Sequence, residues 1–226
     1  MPPRWFPNAA GGGAAASAPA FVMAATKVAA DASITLSGLQ AGDLIVLACC
    51  QNTGNSGPAA QWAFVVNTLD AGGSPPFLYL LYHRVSPADG STFTYIGATP
   101  NFGSVAAIAL RHVFGTPDGL GTVSVVTNTT TVTTNAFTTT LNQDVGIWAV
   151  GLQGSTNDIS AAPAGYTLNT NAHTPVSGSA QGVAIAYNLN LGNAGSNTPG
   201  NATATLGSSS KAASYAFGMQ GFRSSY

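Results

Sequence analysis

The chain has 226 residues, of which 6% are charged, against about a quarter in an ordinary soluble domain. Its formal net charge is −1, from six Lys and Arg residues against seven acids, every one of them Asp. Nucleic-acid affinity needs a cluster of cations to neutralise phosphates, and a membrane span needs about 18 consecutive apolar residues; the sequence has neither, so we expect no nucleic-acid partner and no membrane insertion. The surface must instead be built from Thr, Ser, Asn, Gly and Ala, which carry little charge repulsion and favour self-association.

Residues 1–25 are rich in Pro, Gly and Ala, and Gly11-Gly12-Gly13 opposes a helix. They read as an extended N-terminal arm without the compact apolar stretch of a signal peptide. Trp5, Phe6 and Phe21 lie in it as apolar anchors for a neighbouring subunit, with Tyr226 at the opposite end of the chain as a further interface candidate.

From residue 33 the signals are strands, with apolar runs of β-branched and aromatic residues between Gly, Pro, Asn and Asp clusters. The pattern predicts strands at 33–37, 43–50, 62–67, 77–85, 91–97, 104–113, 121–127, 130–140, 144–152, 165–170, 181–190, 201–206 and 212–222. Such spacing predicts an all-β chain, a single antiparallel, jelly-roll-like β-sandwich over residues 26–226. The long runs are apolar without alternation, which points to strands buried on both faces. Cys49 and Cys50 sit side by side in LIVLACC; on a strand they point to opposite faces, so they should be buried free thiols rather than a disulfide.

Two halves, about 33–120 and 141–222, can be laid over each other. GDLIVLAC (42–49) matches DVGIWAVG (144–151), and QWAFV (61–65) matches AGYTL (164–168). FLYLLYHRV (77–85) matches GVAIAYNLN (182–190), STFTYIG (91–97) matches NATATLG (201–207), and SVAAIALRHV (104–113) matches AASYAFGMQGF (212–222). This order predicts a duplicated five-strand unit, with the Thr-rich segment 121–140 as the joint.

His83-Arg84 and Arg111-His112 each close an apolar run just before a turn. Alternation points the two members of each pair to opposite faces, and long polar side chains at strand ends reach water. They read as strand-end residues, with Arg84 paired to Asp89 and Arg111 to Asp118. A His83–His112 metal pair would need a third ligand such as Asp89, Asp118 or His173. Catalytic patterns are lacking. The Asp residues sit mostly in turns, G-x-S-x-G and H-E-x-x-H are absent, and Ser208-Ser209-Ser210-Lys211 lacks the partner motifs of an S-x-x-K nucleophile. We expect no enzyme activity, no cofactor and no metal. Trp62 and Trp148 lie in or beside apolar strands and are expected in the core.

The series GDLIVLA, FLYLLYHRVSPADGSTFTY, AAIALRHV, PAGYTL, AIAYNLN, ATATLG and AASYAFGMQGF, over about residues 36–222, resembles a family of β-sandwich proteins encoded by tailed bacteriophages and prophages. That family shows a GDLL-like strand, a PAGWT-like turn, a YYR-like strand and an alternating closing strand. Here Tyr166 stands in the turn where Trp is usual. The resemblance implies a virion structural or adsorption role, with no catalytic residues to carry over. Without coiled-coil heptads or fibre repeats, capsid decoration is expected ahead of a fibre. The partners would be major capsid or tail proteins and further copies of the chain, as trimers at quasi-symmetric positions. The alternative is a tail or tail-fibre module that binds a receptor or glycan, which exposed aromatics on loops 51–61, 86–90 or 153–164 would favour.

Overall fold

The computed structural model describes residues 17–28, 33–51, 58–69, 77–95, 102–127, 130–142, 144–153, 158–168, 181–205 and 211–221. Among them the chain is all β, with eighteen strands and no helix. One large sheet runs β1 (Ala20–Val28), β7 (Phe102–Arg111), β3 (Leu44–Gln51), β5 (Phe77–Arg84), β4 (Ala63–Leu69), with antiparallel neighbours throughout. The other runs β14 (Thr167–Leu168), β15 (Gln181–Asn188), β12 (Val145–Gln153), β18 (Lys211–Gly221), β8 (Val113–Leu120), and β9 (Ser124–Thr127) pairs with the opposite end of β18. Each large sheet is drawn from one part of the chain, so the two meet face to face instead of exchanging strands.

Alternate residues build the core between them. Leu44, Val46, Ala48 and Cys50 of β3 belong to one cluster with Val145, Ile147 and Ala149 of β12. The intervening residues are equally apolar and need cover of their own. Ile45, Leu47 and Cys49 pack under Ile34, Leu36, Phe93 and Tyr95, carried by the small sheet of β2 (Ser33–Thr35) and β6 (Thr92–Thr94) and the residues just after each strand. On the far side Trp148, Val150 and Leu152 pack under Val132, Ile159, Ala202 and Ala204. Those come from β10 (Thr131–Val132), β13 (Asp158–Ala161) and β17 (Ala202–Thr205). Phe137 of β11 (Phe137–Thr139) joins them, and β11 pairs with β16 (Gly195–Asn197). The sandwich is therefore four layers thick, and each large side chain that it fully buries contributes about 1.5–3 kcal/mol. Cys49 and Cys50 fall in different clusters, as strand alternation requires.

A directed chain of hydrogen bonds joins Trp148 and Ser214 of the second large sheet to the 133–134 loop of its outer layer. Trp148 Nε1–H donates to Thr134 Oγ1 (2.8 Å), the Thr134 hydroxyl to Ser214 Oγ (2.9 Å), and the Ser214 hydroxyl to the Thr133 carbonyl (2.9 Å). Each donor has one acceptor, which locks the 133–134 loop onto β12 and β18.

The two large sheets repeat one strand order. β4-β5-β3-β7-β1 corresponds to β14-β15-β12-β18-β9, and the pair β2–β6 to β10–β17. Ala48 faces Leu80 and Ala106, while Ala149 faces Val183-flanked Ile185 and Tyr215 in the matching ladders. This equivalence sets Asp43 against Asp144, Trp62 against Tyr166 and Tyr82 against Tyr187. Matching by letters has FLYLLYHRV and GVAIAYNLN in this register, but slides the runs from 42, 61, 91 and 104 by one residue. A slip of one exchanges the faces of a strand; runs apolar on both faces, as from 42 and 104, leave nothing in the letters to expose it, whereas the alternating run from 91 sets Phe93 against Thr203.

Several expectations are corrected. Residues 20–25, read as arm, lie in β1, hydrogen-bonded along β7. The stretch 115–119, read as a turn, lies in β8, whose register on β18 shifts twice around Gly119, Pro117 and Val113. Pro117 is tolerated because β8 is an edge strand. β13 and β16 were not predicted, and the strand expected over 130–140 is two short ones, β10 and β11. The change from one large sheet to the other comes at His112, and segment 121–140 supplies β9, β10 and β11 to the second group of strands.

Trp62 and Tyr166 show what the equivalent positions demand. Each follows a turn, with its N–H donating to the carbonyl of Ala59 and Pro163 respectively. Trp62 Nε1–H reaches the Thr94 carbonyl at 2.8 Å, whereas the Tyr166 hydroxyl is buried without a hydrogen-bond partner. Burial pushes its phenol pKa up. Gly146 makes room for that ring, since a Cβ there would stand 2.7 Å from the Tyr166 hydroxyl and from Leu191 Cδ2. We therefore expect Tyr166→Phe to leave stability unchanged or raise it by up to about 1 kcal/mol in urea unfolding, because it removes an orphaned polar group. A loss of that size would mean the hydroxyl has a partner.

Candidate functional site

The ionisable residues gather where strands end. Gln40–Asp43 turns into β3, with Gln40 N–H donating to Asp43 Oδ2 and Asp43 N–H to the Gln40 carbonyl. The turn holds Gly42 at φ 93°, a conformation that favours glycine. Beside it lie Arg84 at the end of β5, Arg111 at the end of β7, and the corner His112-Val113-Phe114. Together they line a cavity of about 230 Å³.

Asp43 is its anchor, a carboxylate 2% exposed. Arg111 grips it in a fork, Nε–H to Oδ1 and Nη2–H to Oδ2, both at 2.8 Å. Burial pushes the carboxyl pKa up, but the Arg111 fork and the Gln40 amide more than offset it, and the net shift is downward. The same fork raises the Arg111 pKa. Arg84 makes no ion pair among the described residues. Its Nη1–H donates to the Gly42 carbonyl and its Nη2–H to the Val113 carbonyl, both at 2.8 Å, and its Cζ lies 5.8 Å from the centroid of the Phe114 ring. His112 turns the chain out of the first sheet at φ 58°, and its Nδ1 meets the Ala18 carbonyl at 3.0 Å.

His83 lies on the opposite face of β5. Its ring sits between Trp62 and Phe93, with Nδ1 2.9 Å from the Gln61 carbonyl and Nε2 2.8 Å from Asp89 Oδ2. The expected ion pairs are thus reassigned. Asp89 joins His83 and the Ser86 amide rather than Arg84, and Arg111 joins Asp43 rather than Asp118. Asp118 accepts from the Thr140 amide and hydroxyl and from the Leu141 amide. Burial opposes these bonds, yet they hold the Asp118 pKa at about 2.

His83 and His112 do not converge on a common site, and the described residues contain no group of three His, Cys, Asp or Glu arranged for a metal. Burial pushes both Cys thiols well up, which keeps them protonated and unreactive. Of the interface candidates, Phe21 is in β1 and stacks on Tyr187 of the second sheet at 5.0 Å and 10°. Trp5, Phe6 and Tyr226 lie outside the described residues, as do His173 and Ser208. Trp62 and Trp148 are buried. Sequence reasoning did not single out Asp43 or Phe114, although an acid directly ahead of an apolar run, as in GDLIVLA, signals a carboxylate that must be satisfied on burial.

Comparison with protein-family models, with curated proteins and with solved structures finds no match.

Two outcomes check this geometry. Arg111→Ala leaves the Asp43 carboxylate buried and unpaired, and should cost about 2–3 kcal/mol in denaturant unfolding. A change below about 0.5 kcal/mol would mean the fork is dispensable. Asp118 has a folded pKa below its ordinary 3.8, so its contribution is complete above that value and is lost as pH falls toward about 2. Unfolding measured across this window should show wild type losing more stability than Asp118→Asn; parallel curves would rule the contribution out.

Proposed function

We propose that this chain is a non-enzymatic virion protein of a tailed bacteriophage, an accessory subunit that decorates the capsid in many copies. The observation that carries this reading is where the aromatic side chains go. Trp62, Tyr79, Phe93, Tyr95, Phe137, Trp148, Tyr215 and Phe217 are all buried, and the exposed aromatic ring among the described side chains is Phe114. A glycan-binding surface needs rings in solvent to stack on sugars, whereas a lattice subunit needs a rigid body with a neutral skin. The resemblance of the strand motifs to tailed-phage β-sandwich proteins supports the same reading. So does the chemistry of the ionisable groups, which serve as strand-end ties: Arg111 to Asp43, His83 to Asp89, Arg84 to two carbonyls.

The subunit would dock through uncharged Thr-rich faces, and residues 1–16, ahead of β1, would tie it to a neighbour by strand addition or by Trp5 and Phe6. Counting this chain in purified native particles by sedimentation and quantitative mass analysis tests the proposal. Hundreds of copies per particle are expected. A handful would move it to the tail tip or fibres and favour receptor binding, and absence would end the virion reading. Deleting residues 1–16, which spares β1, should release the subunit from particles; undiminished binding would end the role of the arm.

A further inference from the structure

The corner cleft holds a charge that its own residues do not neutralise. Asp43 is saturated by Arg111 and the Gln40 amide, which leaves the guanidinium of Arg84 without a counter-ion among the described residues. That guanidinium is already immobilised. Two of its five N–H groups are fixed by carbonyls from different elements, the 41–42 turn and the start of β8, and the ring of Phe114 lies against it, 39% exposed. An ordinary surface arginine loses rotamer freedom when it binds; here most of that loss is already incurred on folding. The adjoining corner also carries the sole non-glycine residue with positive φ among the described residues, His112 at 58°. Backbone strain of this kind collects at binding sites.

We propose that this cleft is a carboxylate-binding subsite that takes an Asp or Glu side chain of a partner protein. The carboxylate would meet the outward N–H groups of Arg84, and the aliphatic stem would lie on Phe114. One uncompensated cation matches a monoanion, whereas a phosphate dianion calls for further cations or a nest of amides. At about 230 Å³ the cavity is smaller than the ~300 Å³ at which small-molecule pockets begin, and it suits one side chain better than a sugar ring. The inference does not rest on the virion reading, because the isolated full chain suffices to test it.

The experiment is an NMR titration of the ¹⁵N-labelled full chain with N-acetyl-glutamate methylamide. The neutral glutamine analogue, inorganic phosphate and glucuronate run alongside. Saturable shifts at Arg84, His112 and Phe114 are expected, about tenfold tighter for the Glu probe than for the Gln probe and weakened by salt. Arg84→Gln should abolish saturation. Because Arg84 also ties two elements together, Phe114→Ala serves as a second variant; it should keep the fold and weaken the Glu probe about threefold or more. Equal binding of the Glu and Gln probes, or indifference to both substitutions, would overturn the proposal. Tighter binding of phosphate or glucuronate would overturn the ligand class.

Discussion

The strands Leu44–Gln51 and Val145–Gln153 bury both of their faces, and an antiparallel sheet with no wet side has to be covered twice. The rest of the architecture follows from that requirement. The two large sheets cover each other through the cluster that contains Val46 and Ile147, and each then needs an outer lid. The lids are short, two-sided strands with one role per face. Ile34, Phe93, Val132 and Ala202 point inward, while Thr92, Thr94, Thr131 and Thr203 are exposed. The abundance of Thr in a chain with few charges thus has a physical cause: β-branched Thr fits a strand and wets its outer face without an ion.

With so few ions available, those present are placed where backbone geometry is weakest. Strand ends and corners have unpaired amides and carbonyls, and there Asp43, Asp89 and Asp118 accept from backbone amides while Arg84 donates to carbonyls. The two groups of strands differ most at these points. The position equivalent to Asp43 is Asp144, but the positions equivalent to Arg84 and Arg111 are Leu189 and Gln220. Among the described residues, the cationic corner therefore belongs to the first sheet. A shared framework with unequal ends is what allows one end of the sandwich to acquire binding chemistry without disturbing the core.

Much of this was legible in the residues. Alternation separates Cys49 from Cys50 and His83 from Arg84, and apolar context puts Trp62 and Trp148 inside, all as the structure has them. The ion-pair partners were not legible. Arg111 has Asp118 nearby in sequence but bonds Asp43, 68 residues away, because β8 runs straight on from the corner into the other sheet and carries Asp118 off with it. β8 itself was hidden by Gly115, Pro117 and Gly119, which signal a turn unless the strand lies at an edge, where a missing donor and a shifted register are tolerated.

By itself the sequence determined the all-β class, the positions of the long central strands such as β3, β5, β12 and β18, and the burial of both faces of β3 and β12, since composition and a period of two are local properties of the chain. Tertiary structure alone decided that residues 20–28 close a sheet rather than extend from it, that Phe21 stacks on Tyr187, and that Asp43, Arg84, Arg111 and Phe114 line one cleft. Those outcomes depend on which edges are left open once the distant strands have paired, and no window of neighbouring residues contains that information.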